Sequence, residues 1–167
     1  MKSRPRLRPA GRKRIVPGEP PAGAVVREVR IAAAAVDVFP FFTDPTKMVL
    51  WKARAAWIDA APGREFRIDV NGRSIARGQF IEIDPPRRIV FTWGWEGDDG
   101  LPPGASRVEV TLSEVDGETV VRLVHTGIPE RLRETNADGW DHYLPRLRVA
   151  AEGRSPGPDS WAAPQGR

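Results

Sequence analysis

The chain has 167 residues, 40% of them apolar and 29% charged, with six Trp, six Phe and no Cys. This is enough to build one core-forming domain with extensions, and the lack of Cys excludes a disulfide scaffold, a thiolate metal site and a cysteine nucleophile. The net charge of +4 sits in one place: residues 1–23 hold seven of the 26 bases and one of the 22 acids, leaving 19 bases against 21 acids in residues 24–167. A nucleic-acid-binding body usually carries its positive charge as a stripe or face, so no specific nucleic-acid partner is expected. The segment 1–23, with its five prolines, is expected to be a disordered basic tail. No apolar run reaches the roughly 20 residues that a membrane-spanning helix needs. No apolar segment follows the basic start as in a secretory signal. A cytoplasmic location is the expectation.

Val25–Ile31 alternates and predicts a strand. From Ala33 to Thr43 the period turns helical, with Val38, Phe39 and Phe42 on one face and Pro40 forcing a short or bent helix. Thr43-Asp44-Pro45 supplies an N-cap acceptor and then a proline at the first helical position, predicting a second short helix to about Trp51. Strands follow at Ala56–Ile58 and Glu65–Val70. Asn71-Gly72 marks a hairpin into a strand over Ser74–Ile83, ended by Asp84-Pro85-Pro86. Ile89, Phe91, Trp93 and Trp95 share one face of the next strand, and the loop Glu96–Ala105 after it is expected to be exposed. Val108, Val110 and Leu112 mark a further strand, which Asp116-Gly117 turns into Thr119–Thr126. Leu132, Trp140, Leu144, Leu147 and Ala151 then form the apolar stripe of a long helix closed by Gly153, with a kink expected at Pro145. Residues 154–167, rich in Pro and Gly, are expected to form an irregular tail.

The fold class is α+β. A curved antiparallel sheet of about six to seven strands wraps around the long C-terminal helix, and two short helices follow strand 1. A one-faced sheet needs a cover, and the last helix is the one available. A curved sheet cannot touch a straight rod everywhere, so a hollow is expected between them.

The chain resembles the SRPBCC (START-like) superfamily. Within it, the chain is similar to the C-terminal domain of the activator of heat-shock protein 90 ATPase family. The matching pieces are Val38-Phe39 through Thr43-Asp44-Pro45 and Trp51, then Pro62-Gly63-Arg64-Glu65-Phe66, then Gly78 through Trp93. Ser106–Leu112, Leu123-Val124-His125-Thr126-Gly127 and Gly139 through Leu144 complete the set. The likeness covers residues 24–153 and implies a helix-grip fold with an internal cleft. Pro40 and Pro145 depart from the family's helices, and the basic tail has no counterpart in its shared domain.

Trp51, Trp57, Phe66, Phe80, Trp93, Trp95 and Trp140 stand out for chemistry. As a group they suit a pocket for a flat or greasy molecule; singly, each also suits plain core packing. The residues expected to line a ligand cavity are Trp51, Phe66, Phe80, Phe91, Trp93, His125, Trp140 and Leu144. His125 is the one weak catalytic candidate, as acid or base; its alternative is a buried tie between strand end and helix. His142 is expected to be solvated. Two histidines without metal-ligand spacing imply no metal site, and no cofactor is expected. Glu82 and Asp84 share a strand face, but Asp84 before Pro-Pro suits a turn. No GxSxG or phosphate-loop pattern occurs.

Three functions follow. The first is binding of a small hydrophobic or aromatic ligand between sheet and helix, by a monomer or homodimer, with no catalysis assigned. The resemblance implies the other two: a co-chaperone-like module that stimulates a heat-shock protein 90 ATPase, and a cyclase or hydrolase of an aromatic substrate.

Overall fold

Strand β1 (Val25–Ile31) is the first element, and α1 (Ala35–Val38), a 3-10 turn over Phe39–Phe42 and α2 (Pro45–Met48) follow it. The computed structural model describes residues 19–164, so residues 1–18 of the disordered tail expected over 1–23 lie outside the described residues, as do residues 165–167. Pro40 explains the break after α1: it has no N–H to give and its ring crowds the preceding turn. The chain tightens into 3-10 geometry instead of continuing the helix. At α2 the expected cap is present, with Asp44 Oδ1 accepting the Thr46 N–H at 2.9 Å and the Thr46 hydroxyl at 2.7 Å. The helix stops at Met48, short of Trp51. A hydrogen-bonded turn carries the chain onward, with Lys52 N–H donating to Met48 O at 3.0 Å.

Six more strands follow: β2 (Ala55–Ile58), β3 (Glu65–Asp69), β4 (Ile75–Asp84), β5 (Arg88–Trp95), β6 (Ser106–Val115) and β7 (Glu118–Thr126). With β1 they form one antiparallel sheet in the order β1-β7-β6-β5-β4-β3-β2. Asp116 (φ 53°) and Gly117 (φ 78°) form a two-residue connection between the paired Val115 and Glu118. Both residues need positive φ there, which Asp tolerates and Gly favours. The Asn71-Gly72 hairpin also forms, but with a wider loop. Asp69 pairs with Ile75, and Asn71 Oδ1 accepts the N–H groups of Arg73 and Ser74 at 2.9 and 2.8 Å. That asparagine cap replaces the two-residue turn. A register shift between Phe80 and Glu82 puts a bulge in β4, a device that bends and twists a sheet.

The loop after β5 is not simply exposed, as expected from its composition. Leu101 is buried, and its carbonyl accepts the Trp95 N–H at 2.8 Å. Gly94 permits this, because a Cβ there would lie 1.8 Å from the Pro102 carbonyl oxygen.

Helix α3 (Glu130–Ala151) lies across the inner face of the sheet and buries Trp140, Tyr143, Leu144, Leu147 and Ala150. Gly139 and Pro145 inside it cost about 1 and about 3 kcal/mol of helix propensity. Full burial of each large apolar side chain contributes about 1.5–3 kcal/mol. Packing of the stripe outweighs the propensity loss, and the helix runs through Pro145 as one element. After Gly153 the chain is irregular but held. The Arg146 guanidinium donates to the carbonyls of Pro156, Gly157 and Pro158, and Ala163 N–H reaches Asn71 O at 2.7 Å. The C-terminal segment therefore spans from α3 to the β3–β4 turn.

Candidate functional site

The inner face of the sheet ends in polar residues where β5, β6 and β7 meet. Ser106 faces Trp93 across one ladder and His125 faces Val108 across the next. His125 is fully buried. Its Nδ1 accepts the Trp140 indole N–H at 3.1 Å, its Nε2 lies 2.7 Å from Ser106 Oγ, and Ser106 Oγ–H donates to Trp93 O at 2.7 Å. The indole donates and the carbonyl accepts, so Nε2 must carry the imidazole proton and donate it to Ser106. Burial, followed by the positive charge of Lys52, pushes the His125 pKa down to about 3. The ring is neutral with both nitrogens occupied, and it ties the end of β7 to α3.

A second polar group enters this interior from the turn after α2. Lys52 is 5% exposed, and its Nζ lies 4.4 Å from the ring centroids of both Trp140 and Tyr143. Trp93 and Trp51 complete the cage at 5.1 and 5.8 Å. Cation–π contacts of this kind are worth about 0.5–2 kcal/mol, less than burial of a charge costs. Among the described residues, no hydrogen bond or ion pair engages this Nζ. Burial pushes its pKa down to about 7, against the attraction of Asp159.

Asp159, on the C-terminal segment, accepts from His142 Nε2 at 2.7 Å, from Tyr143 OH at 2.8 Å and from the Trp161 N–H at 2.9 Å. Burial disfavours its charge, but these hydrogen bonds prevail and hold the carboxyl below its ordinary value. The Tyr143 hydroxyl moves the other way, raised by burial and by its bond to Asp159. Trp161 stacks flat on His142 at 4.1 Å. His142 is thus half-buried and clamped, not solvated as expected, because the C-terminal segment folds back over it.

The hollow expected between sheet and helix is almost closed. Phe66, Phe80, Phe91 and Trp93 pack with ring centroids 5.4–6.3 Å apart and fill the concavity. What remains is about 20 Å³, room for roughly one water. A larger cavity, about 370 Å³, opens at one end between the β3–β4 turn, the β5–β6 loop and α3. Trp93, Trp95, Trp140, Tyr143, Trp161 and Lys52 are on its walls. Small-molecule pockets begin at roughly this size.

Of the residues singled out from the sequence, Trp51, Phe66, Phe80, Phe91, Trp93 and Trp140 gather around the small void, and Trp93 and Trp140 also reach the larger cavity. His125 and Leu144 are buried and line neither of these two spaces. Trp57 is 57% exposed beneath the Arg67 guanidinium. Glu82 pairs with Arg88, which also binds Glu109, and Asp84 pairs with Arg87. Lys52, Tyr143, Asp159 and Trp161 are the additions from the structure. Trp161, an aromatic inside a Pro/Gly-rich segment, was the one signal in the sequence that could have drawn attention to them. Among the described residues, no three His, Asp or Glu side chains are placed to hold a metal ion, and no helix is long and apolar enough to cross a membrane.

A curved seven-stranded antiparallel sheet gripping a C-terminal helix, with its cavity at the mouth of the grip, defines a START-like (SRPBCC) protein. The family model described as "Activator of Hsp90 ATPase homolog 1-like protein" matches residues 32–152, and the chain belongs to that family. It is 39% identical to the AHSA1-like protein RHE_CH02687 from Rhizobium etli, with 86% of this chain and 91% of that one covered at a TM-score of 0.67. It also resembles protein CV1439 from Chromobacterium violaceum, at 22% identity, 78% and 97% coverage and a TM-score of 0.69. A structure described as an HSP90 activator from Plasmodium falciparum is 23% identical, with 76% and 94% coverage and a TM-score of 0.64. These last two likenesses concern the fold alone. No curated protein has a significant match to this sequence.

Proposed function

We propose that the chain binds a small hydrophobic or aromatic molecule in the cavity at the open end of the sheet–helix grip. The observation that carries this reading is the 370 Å³ space walled by Trp93, Trp95, Trp140, Tyr143 and Trp161. Flat apolar surface suits an aromatic ring, and the interior behind it is packed too tightly to accept one. The C-terminal segment serves as the outer wall, since Trp161 is 43% exposed and rests on His142. The test is a titration of intrinsic tryptophan fluorescence with the neutral probe N-phenyl-1-naphthylamine. Saturable quenching that weakens severalfold in Trp161→Ala supports the reading. An unchanged emission spectrum across the titration overturns it.

The family match favours a second reading, in which this domain docks on a heat-shock protein 90 homologue and stimulates its ATPase. Co-purification with the host's homologue together with a raised ATPase rate would support it. An unchanged rate at saturating protein would remove it.

A further inference from the structure

The inference concerns Lys52 and rests on the reading that the cavity takes a ligand. We infer that Lys52 anchors the negatively charged oxygen of an amphipathic aromatic ligand, a carboxylate or a phenolate, whose ring lies between Trp95, Trp140 and Trp161. Lysine is among the residues least often buried without a partner. Here the lysine is 5% exposed, its Nζ is faced by four aromatic rings on the wall of a cavity, and no protein group accepts a hydrogen bond from it among the described residues.

The charged and titratable groups around it do not supply the missing anion. On the C-terminal segment, Asp159 already accepts from His142, Tyr143 and the Trp161 N–H. On the β5–β6 loop, Glu96 holds the Arg67 guanidinium at 2.6 and 3.0 Å, and Asp98 Oδ1 accepts the Gly100 N–H at 2.8 Å. From β7, His125 is neutral and occupied. From α3, the Arg146 guanidinium donates to Trp51 O at 3.1 Å and Gly157 O at 3.0 Å. Tyr143 presents its ring to Nζ and its hydroxyl to Asp159. Arg73 on the β3–β4 turn is the remaining charge on the wall, and it is positive. An anion arriving from outside would satisfy donors that the fold leaves unused.

A proton signature follows. Burial holds the empty-site Lys52 near pKa 7, so above that pH the amine is mostly neutral. An anion binds the ammonium form, so its binding takes up a proton. Affinity for an anionic ligand then falls up to about tenfold per pH unit above 7. A neutral ligand of the same shape shows no such slope.

The experiment is a calorimetric titration of the full chain with 2-naphthoate and with 2-naphthamide at pH 7, 8 and 9. Two buffers of different ionisation enthalpy are used so that proton uptake is counted. Lys52→Met, which keeps the shape of the stem, is measured in parallel, with near-ultraviolet circular dichroism reporting its fold. The expected result is at least tenfold tighter naphthoate binding than naphthamide binding at pH 7, shrinking toward pH 9, with about one proton taken up per anion at pH 8 and above. Lys52→Met is expected to lose the preference while keeping its affinity for the amide. Equal affinities in the native chain, or a preference that survives in Lys52→Met, overturn the role of Lys52 and leave the cavity reading standing. If neither probe binds, both fall together.

Discussion

His125 and Lys52 both meet the Trp140 indole, His125 at its N–H and Lys52 over its ring, and both are less basic than in water. At His125 each ring nitrogen has a partner, supplied by Trp140 on one side and Ser106 on the other. At Lys52 the surroundings are rings, whose faces attract a cation without accepting its hydrogen bonds in full. His125 is 0% exposed and Lys52 5%, and satisfaction by protein partners is the larger difference between them. A buried polar group with every partner in place holds a fold together, whereas one left short of partners costs stability and is a place where a ligand can contribute them.

The largest expected effect breaks the satisfied side. Protonating His125 requires giving up a hydrogen bond and charging a buried ring. Its folded pKa of about 3 lies below the ordinary 6.5, so the stability it represents is present above pH 6.5 and is lost as pH falls toward 3. The full loss is on the order of 5 kcal/mol. Urea denaturation at pH 7, 5 and 4 should show it, and His125→Phe should flatten that dependence. Next comes Trp140→Ala, which empties space beside both groups and orphans His125 Nδ1. A loss of about 4 kcal/mol is expected from the denaturation midpoint.

On the unsatisfied side the pH dependence keeps its sign, stability rising with pH, but the effect of substitution reverses. Lys52 has a folded pKa of about 7 against an ordinary 10.5. Its cost is therefore full below pH 7 and shrinks as pH rises toward 10.5. Allowing for the cation–π contacts that the substitution loses, Lys52→Met is expected to stabilise the protein by about 3 kcal/mol at pH 7. The gain should vanish near pH 10.5, as thermal melts across that range will show. A destabilised Lys52→Met at pH 7 would mean that the cage alone satisfies the amine, and the contrast with His125 would disappear. The smallest effect is at the rim: Trp161→Ala removes one stacked ring and is expected to lower stability by about 1 kcal/mol or less.

The elements themselves were legible in the residues. Alternation predicts β1 over Val25–Ile31 residue for residue, Asp44-Pro45 announces the start of α2, and Asp116-Gly117 makes the two-residue turn it predicts. These signals are local, set by backbone geometry and the period of one face. The departures have tertiary causes. The Glu96–Ala105 loop looks polar along the chain, yet Leu101 is buried because Gly94 lets the backbone fold back onto β5. His142 lies off the α3 stripe, and the C-terminal segment covers it. Lys52 follows a buried tryptophan in the turn after a short helix, a setting in which a lysine is ordinarily solvated. No periodicity marks it as inward, because it sits on a turn between elements.

By itself, then, the order of the residues determined the α+β architecture, the curved sheet and the helix it grips, since one-faced strands and a single apolar helical stripe have few ways to bury each other. It also brought the aromatic residues together, because they occupy inward positions of known period. Tertiary structure decided how much room was left. Four rings on β3, β4 and β5 interlock and close the centre, while the C-terminal segment, tied down by Arg146 and Asn71, walls a cavity at the end. Volumes and unmade hydrogen bonds are properties of side chains distant along the chain meeting in space, and no local pattern encodes them.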